Sequence, residues 1–118
     1  MNQPTTLNIE ERPSHLKIIR IQGDLDTVGV KMVEEAFARS TDDRSEKALV
    51  DLTQVGFISS AGLAMLLVKG KVLRRGGGRL AIAGATRRVQ EVLSMAGFNE
   101  LFDIYPTPAD AVTALERT

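Results

Sequence analysis

The fold of this chain follows from residues 50–67, VDLTQVGFISSAGLAMLL, which lead from a strand through a short turn into a helix. The strand begins just before this stretch, because residues 48–52 form a compact apolar run that suits burial on both faces of a sheet. From Ser60 to about Arg75 apolar residues recur at helical spacing, and the glycines at 76–78 end the helix. The predicted inward positions of this helix are Leu63, Leu66, Leu67, Val72 and Leu73.

The segments on the N-terminal side of this stretch predict two strands and a helix. A short alternating segment around Leu7 and Ile9 precedes a richer strand at Leu16–Gln22. Asp26 or Thr27 then caps a helix that ends near residue 40. Its predicted apolar stripe is Val28, Met32, Val33, Ala36 and Phe37.

The segments on the C-terminal side alternate between strand and helix. We predict a strand at 79–83, a helix capped by Thr86, a strand at 101–105 and a final helix that starts within 107–110. The third helix is expected to place Val89, Val92, Leu93 and Ala96 inward, and Gly97 to end it in a left-handed conformation. Helices that alternate with strands predict the α/β class. We expect a mostly parallel mixed sheet of four to five strands, with about four helices and an antiparallel edge formed by the first two strands.

Length and composition indicate one domain, 1–118, with residues 1–6 as a flexible leader. The chain has 118 residues, of which 43% are hydrophobic, and its 15 basic residues balance its 15 acidic ones. No net field therefore draws the domain to nucleic acid or to an anionic membrane. No apolar run reaches the roughly 20 residues of a spanning helix, so we expect no membrane insertion and a cytoplasmic location.

The sequence lacks the side chains that most enzyme reactions require. It has no cysteine, His15 is the single histidine, and no G-x-S-x-G motif surrounds a serine. The glycine triplet lacks the Lys-Ser/Thr pair of a phosphate-binding loop and is interpreted as a helix stop and turn. We therefore predict a protein that is not an enzyme, with no catalytic residue, metal site or cofactor.

Residues 69–88 are locally basic, with seven Lys or Arg and no acid. One interpretation is a basic helix end that complements the helix dipole, and the other is a patch that meets an acidic protein partner. The segment has no aromatic residue on which bases would stack, which argues against direct nucleic-acid binding. Phe98 and Phe102 are interpreted as core residues. The basic residues are Lys69, Lys71, Arg74, Arg75, Arg79, Arg87 and Arg88.

Two adjacent serines, Ser59 and Ser60, fall at the start of the second predicted helix. Serine is a favoured N-cap, and that role accounts for one of the two. The small residues Ala61 and Gly62 leave the helix start uncrowded, so a partner protein would reach a hydroxyl there. A phosphate at Ser60 would lie where backbone amides and the helix dipole favour an anion, so its effect would be felt by a partner and not by the fold.

The sequence resembles the STAS-domain anti-sigma-factor antagonists, small bacterial proteins of partner-switching systems. The resemblance covers nearly the whole chain and rests on GDLD at 23–26, DLTQVGFISSAGL at 51–63 and RLAIAGATRRVQEVLSMAGF at 79–98. By this resemblance Ser60 is the phosphoacceptor, with Ser59 as the second choice, and Asp26 is an acidic residue near that site. Ser59 stands where the family often has aspartate, and Gly56 where an acidic residue is common.

The resemblance implies a binding switch. The unphosphorylated domain would bind an anti-sigma factor that is also a serine kinase of the histidine-kinase-like ATPase type, which frees a sigma factor. Phosphorylation of Ser60 would release the kinase, and a metal-dependent serine phosphatase would reset the switch. The candidate partner-binding residues are Asp26, Ser59, Ser60, Ala61, Gly62, Leu63 and Met65.

Two alternatives stay open at this point. The domain could be a constitutive scaffold or an accessory subunit, as similar domains are in a lipid-transport ABC complex or in stressosome-like assemblies. It could also be a small-molecule or lipid carrier that uses the basic segment, although pockets in so small a core are usually shallow.

Overall fold

The computed structural model describes residues 4–41 and 46–117 and has the predicted α/β architecture. The strands are β1 (Thr6–Arg12), β2 (Leu16–Gln22), β3 (Lys47–Gln54), β4 (Arg79–Ala83) and β5 (Asp103–Tyr105). The helices are α1 (Thr27–Ala38), α2 (Ser60–Arg75), α3 (Arg87–Met95), α4 (Phe98–Leu101) and α5 (Pro108–Glu116).

The strands form one sheet in the order β1-β2-β3-β4-β5. β1 pairs antiparallel with β2, and Ile9 lies opposite Ile19 in that pair. The pairs β2–β3, β3–β4 and β4–β5 are all parallel. The antiparallel edge predicted from the sequence is therefore confirmed.

Helices cover both faces of the sheet, and β3 lies between them. The larger core packs α1 to α4 against one face, where Val50 and Leu52 are fully buried. On the other face Leu49 packs with Ala111 and Leu115 of α5. Alternate residues of β3 thus face two cores, which explains its continuous apolar run.

The predicted stripe of α1 is correct at Val33 and Phe37, which are buried, and wrong at its other three positions. Val28 and Met32 are 68% and 52% exposed and Ala36 is also exposed, whereas Gly29 and Val30 are buried in their place. The face of α1 that carries Gly29 can pack inward because this residue has no side chain. A Cβ on Gly29 would lie only 1.9 Å from the Asp24 carbonyl oxygen.

Four smaller expectations also need correction. The predicted strand at 101–105 begins only at Asp103, because Leu101 ends the one-turn helix α4. Ala96, predicted to face inward, is exposed at the end of α3, and His15, which the sequence places as a partly exposed strand residue, lies in the β1–β2 turn with a φ of 57°. The leader expected over residues 1–6 is shorter at its C-terminal end, because the Thr5 hydroxyl donates to the Asp24 carbonyl oxygen (2.7 Å) and β1 begins at the next residue. Residues 1–3 lie outside the described residues.

Candidate functional site

The starts of α1 and α2 lie side by side at the carboxyl ends of β2 and β3. A single parallel bridge joins Leu25 to Ile58 just before the two helices. In that bridge the Leu25 N–H donates to the Phe57 carbonyl oxygen, and the Ser59 N–H donates to the Leu25 carbonyl oxygen, both at 2.9 Å. The bridge fixes the position of Ser59 relative to the start of α1.

Ser59 is the N-cap of α2, and its hydroxyl group is used twice. Its Oγ accepts a hydrogen bond from the Gly62 N–H (3.4 Å) and donates one to the Leu25 carbonyl oxygen (2.9 Å). The side chain is partly buried. Ser59 is therefore the residue that accounts for the capping role predicted for one of the two serines.

Ser60 is the first residue of α2 and has a different environment. It is exposed, and its hydroxyl forms no hydrogen bond with any described residue. It lies at the helix end where unpaired N–H groups and the helix dipole create a partial positive charge.

Asp26 caps α1 in the way that Ser59 caps α2. Its Oδ1 accepts from the Gly29 N–H at 2.7 Å, so the carboxylate is held at the start of its own helix. No hydrogen bond among the described residues joins Asp26 to either serine. The structure thus brings Asp26 and Ser59 to neighbouring helix starts without a direct polar contact.

Gly62 lets α2 start this close to the bridge. A Cβ on Gly62 would lie 2.8 Å from Ile58 Cγ1 and 2.9 Å from the Leu25 carbonyl oxygen, closer than real Cβ contacts. Gly62 is buried, so it shapes the predicted partner-binding segment from within and does not itself present a contact surface.

Three other predicted interface residues are only half-exposed. Ala61, Leu63 and Met65 all pack against the main core. The more exposed apolar side chains around the two helix starts are Val28 and Phe57, the latter 39% exposed. The guanidinium of Arg88 lies over the Phe57 ring at 6.0 Å from its centroid.

Sequence reasoning missed Val28 and Phe57 as surface residues for identifiable reasons. Val28 was assigned to the buried stripe of α1, and Phe57 was not assigned a role. In the structure the residue after it, Ile58, takes the buried position in the bridge and leaves the aromatic ring at the surface. The turn FISS contained a signal for an exposed apolar residue. It has two large apolar residues, Phe57 and Ile58, and the bridge needs only one of them.

Gly56, where the resembled family commonly has an acidic residue, lies beside an acidic side chain from another loop. A Cβ at this position would be 3.3 Å from Asp24 Oδ1. A carboxylate is therefore present in this region although residue 56 does not supply it.

The basic segment 69–88 does not form one continuous patch. Lys69 is buried, Arg79 faces Asp103 at 3.5 Å, and the Arg74 guanidinium donates to the Leu101 carbonyl oxygen at 3.0 Å. Arg74 and Arg75 lie in the last turn of α2, as the interpretation of a helix dipole predicts. The charge of this segment is thus divided between separate local environments.

The described part of the chain contains no cluster of three or more His, Asp or Glu residues arranged to hold a metal ion. Within the same residues, no helix combines the length and the apolar character needed to cross a bilayer.

Comparison with known proteins identifies the class to which this fold and site belong. The STAS domain family profile matches residues 6–111, which is most of the chain, so the protein belongs to the STAS domain family. Among curated proteins it is similar to the anti-sigma F factor antagonist of Paenibacillus polymyxa, with 29% identity over 100 residues that cover 84% of this chain and 86% of the relative.

Solved structures support the same fold. An anti-sigma factor antagonist from Mycobacterium paratuberculosis matches with a TM-score of 0.85 and 24% identity, covering 98% of this chain and 99% of that one. SpoIIAA, an anti-sigma factor antagonist, matches in its unphosphorylated form with a TM-score of 0.74 and 17% identity, covering 96% and 98% of the two chains. The phosphorylated form of SpoIIAA from Bacillus also matches, with a TM-score of 0.69 and 16% identity over 93% and 99% of the chains.

Proposed function

We propose that this protein is a partner switch controlled by phosphorylation of Ser60. The unphosphorylated form binds an anti-sigma factor that is also a serine kinase of the histidine-kinase-like ATPase type, and a sigma factor is thereby released. Phosphorylation ends this binding, and a metal-dependent serine phosphatase restores it. The protein is a binding module of the bacterial cytoplasm and not an enzyme.

The different environments of Ser59 and Ser60 are the main support for this proposal. The Ser59 hydroxyl is committed to the cap and to the Leu25 carbonyl oxygen, whereas the Ser60 hydroxyl is exposed and has no hydrogen-bond partner among the described residues. A kinase can therefore reach Ser60 without breaking the cap. The relative from Paenibacillus polymyxa, which is named as an anti-sigma F factor antagonist, supports the same role.

The chemistry of a phosphate at this position explains the switch. A phosphoserine carries about −1.5 to −2 charges at pH 7, and the start of α2 tolerates an anion. The charge would lie at the start of α2, and the starts of α1 and α2, joined by the Leu25–Ile58 bridge, carry the exposed apolar side chains Val28 and Phe57. A partner that buries this surface would have to desolvate the phosphate, so the complex is weakened while the fold remains.

The test uses the full chain as bait in lysate of the source bacterium, in Ser60→Ala and Ser60→Glu forms, with bound proteins quantified by mass spectrometry. We expect a histidine-kinase-like ATPase to be retained by the Ala bait and lost from the Glu bait. Ser94→Glu, at an exposed serine of α3, serves as the control for an added charge and should still retain the ATPase.

A second assay identifies the acceptor directly. The captured kinase and ATP should add one phosphate to the wild type and to Ser59→Ala, and none to Ser60→Ala. If both Ser60 baits retain the same transporter or scaffold subunit, the alternative of a constitutive accessory subunit is correct. Phosphate on Ser60→Ala would assign the acceptor to another residue.

A further inference from the structure

An open groove of about 640 Å³ runs between α1 and α2. Its walls carry mainly apolar side chains, including Val30 and Phe37 of α1 and Met65 and Val68 of α2. Val68 is 61% exposed although it is apolar. Pockets that hold small ligands have roughly 300–1,000 Å³, and this groove lies within that range.

A buried lysine lies in the wall of this groove. Lys69 is 6% exposed, and its ammonium group donates to the Ala38 carbonyl oxygen and to Thr41 Oγ1, both at 3.1 Å. Ala38 and Thr41 also line the groove, so the ammonium group lies at the end of the groove where α1 ends. A lysine has three N–H donors, of which these hydrogen bonds use two, and Nζ also lies 5.2 Å from the centroid of the Phe37 ring in the groove wall.

Among the described residues, no ion pair neutralises the positive charge of Lys69. In residues 4–41 and 46–117, the ion pairs do not include Lys69, and Glu46 pairs with Lys17 at 3.7 Å. Burial lowers the pKa of Lys69, and the nearby Glu46 carboxylate only partly offsets that effect. A buried cation beside an apolar surface is costly, and an anion that reaches it would lower this cost.

We propose that the groove binds an amphipathic monocarboxylate, a fatty-acid-like anion whose carboxylate accepts a hydrogen bond from Lys69 and whose alkyl chain lies against Met65 and Val68. Glu34 lies one turn before Ala38 on α1 and also lines the groove. The negative charge of Glu34 disfavours a second carboxylate on the part of the ligand that lies along the groove. The ligand therefore has one anionic end and one apolar end. Because Lys69 is deep, a slim head group on a flexible chain reaches it more readily than a side chain on a folded partner.

The experiment is a titration of the full chain with decanoate, followed by backbone amide NMR, with decanol as the neutral ligand of equal length. We expect decanoate to shift amides of α1 and α2 along the groove and to bind at least about tenfold more tightly than decanol, as the loss of a charge-assisted hydrogen bond predicts. Lys69→Met keeps the apolar stem and should reduce decanoate affinity by about the same factor. Lys71→Met removes an exposed lysine of the same helix and should leave the affinity unchanged.

The outcomes separate the ligand site from its alternatives. Equal affinity for decanoate and decanol, or unchanged decanoate affinity in Lys69→Met, would show an apolar groove without carboxylate recognition and would overturn the proposal. Shifts elsewhere in the sheet, or none, would also overturn it. If Lys69→Met fails to fold, contacts between decanoate protons and the Met65 and Val68 methyl groups of the wild type decide the question. None of these results depends on Ser60, so the partner switch stands or falls separately.

Discussion

Replacing each of the two adjacent serines by alanine should lower the stability at Ser59 and leave it nearly unchanged at Ser60. In Ser59→Ala the cap bond to the Gly62 N–H and the bond to the Leu25 carbonyl oxygen are both lost. In Ser60→Ala an exposed hydroxyl without a hydrogen-bond partner among the described residues is removed from the first turn of a helix. The pair is internally matched because both changes remove one hydroxyl at the same helix start.

The magnitude for Ser59→Ala follows from its two hydrogen bonds. Loss of a serine N-cap costs about 0.5–2 kcal/mol, and the long 3.4 Å bond to Gly62 places this one in the lower half of that range. The 2.9 Å bond to Leu25 adds about 0.5–1 kcal/mol, and Leu25 still accepts from the Ser59 N–H. The sum is about 1.5 kcal/mol. Ser60→Ala should stay within about ±0.5 kcal/mol.

Urea denaturation followed by far-ultraviolet circular dichroism measures both values. With a slope of about 1.5 kcal/mol/M, the midpoint of Ser59→Ala should fall by about 1 M, and that of Ser60→Ala should hardly move. The slope itself should not change, since the surface exposed on unfolding is the same. Equal losses at the two positions, or a larger loss at Ser60, would refute the separation of cap and acceptor on which the proposed function rests.

Three further changes test other parts of the structure. Gly62→Ala should destabilise by about 1–3 kcal/mol in urea denaturation, because its Cβ would lie 2.8 Å from Ile58 Cγ1; an unchanged midpoint would mean that α2 moves away freely. Gly70→Ala should cost a similar amount in thermal unfolding and shift the ring resonances of Phe102, whose Cε1 would lie 2.2 Å from the new Cβ; unshifted ring signals would contradict this packing. Burial lowers the pKa of Lys69 in the folded protein, so between neutral pH and the usual lysine pKa of about 10.4 the unfolded chain binds more protons than the folded one. The free energy of unfolding should therefore rise with pH over this range. In Lys69→Met this rise should be smaller.

The strands and the long helices were predictable from the sequence because their signals are local. Leu16–Gln22 and 79–83 were predicted with the bounds that the structure has, Thr86 caps α3 as expected, and the last helix starts within 107–110 as predicted, with Thr107 as its cap. The turn from β3 into α2 was equally clear, since a buried strand, small residues and a serine cap follow one another. These features depend on neighbouring residues and not on distant ones.

Only part of the buried face of α1, Val33 and Phe37, could be found in this way. The buried face of α1 includes Gly29, and that of α2 includes Gly62 and Lys69. A search for periodic apolar residues does not count glycine or lysine as buried positions. They are buried because other segments approach closely or supply polar partners, such as the Ala38 carbonyl oxygen for Lys69. The one-turn helix α4 was missed for a similar reason, since so short a helix depends on tertiary packing and not on its own pattern.

The two ends of β1 determine how the protein should be attached in any binding assay. The Thr5 hydroxyl donates to the Asp24 carbonyl oxygen, so the start of β1 lies at the same edge of the sheet as Asp26 and the serines. At its other end, on the order of 20 Å away, Arg12 pairs with Glu116 of α5 at 3.1 Å. An affinity tag or biotin before β1 would crowd the surface whose binding is being measured. A label placed after α5 would instead hold that surface outward, away from the bead or sensor chip.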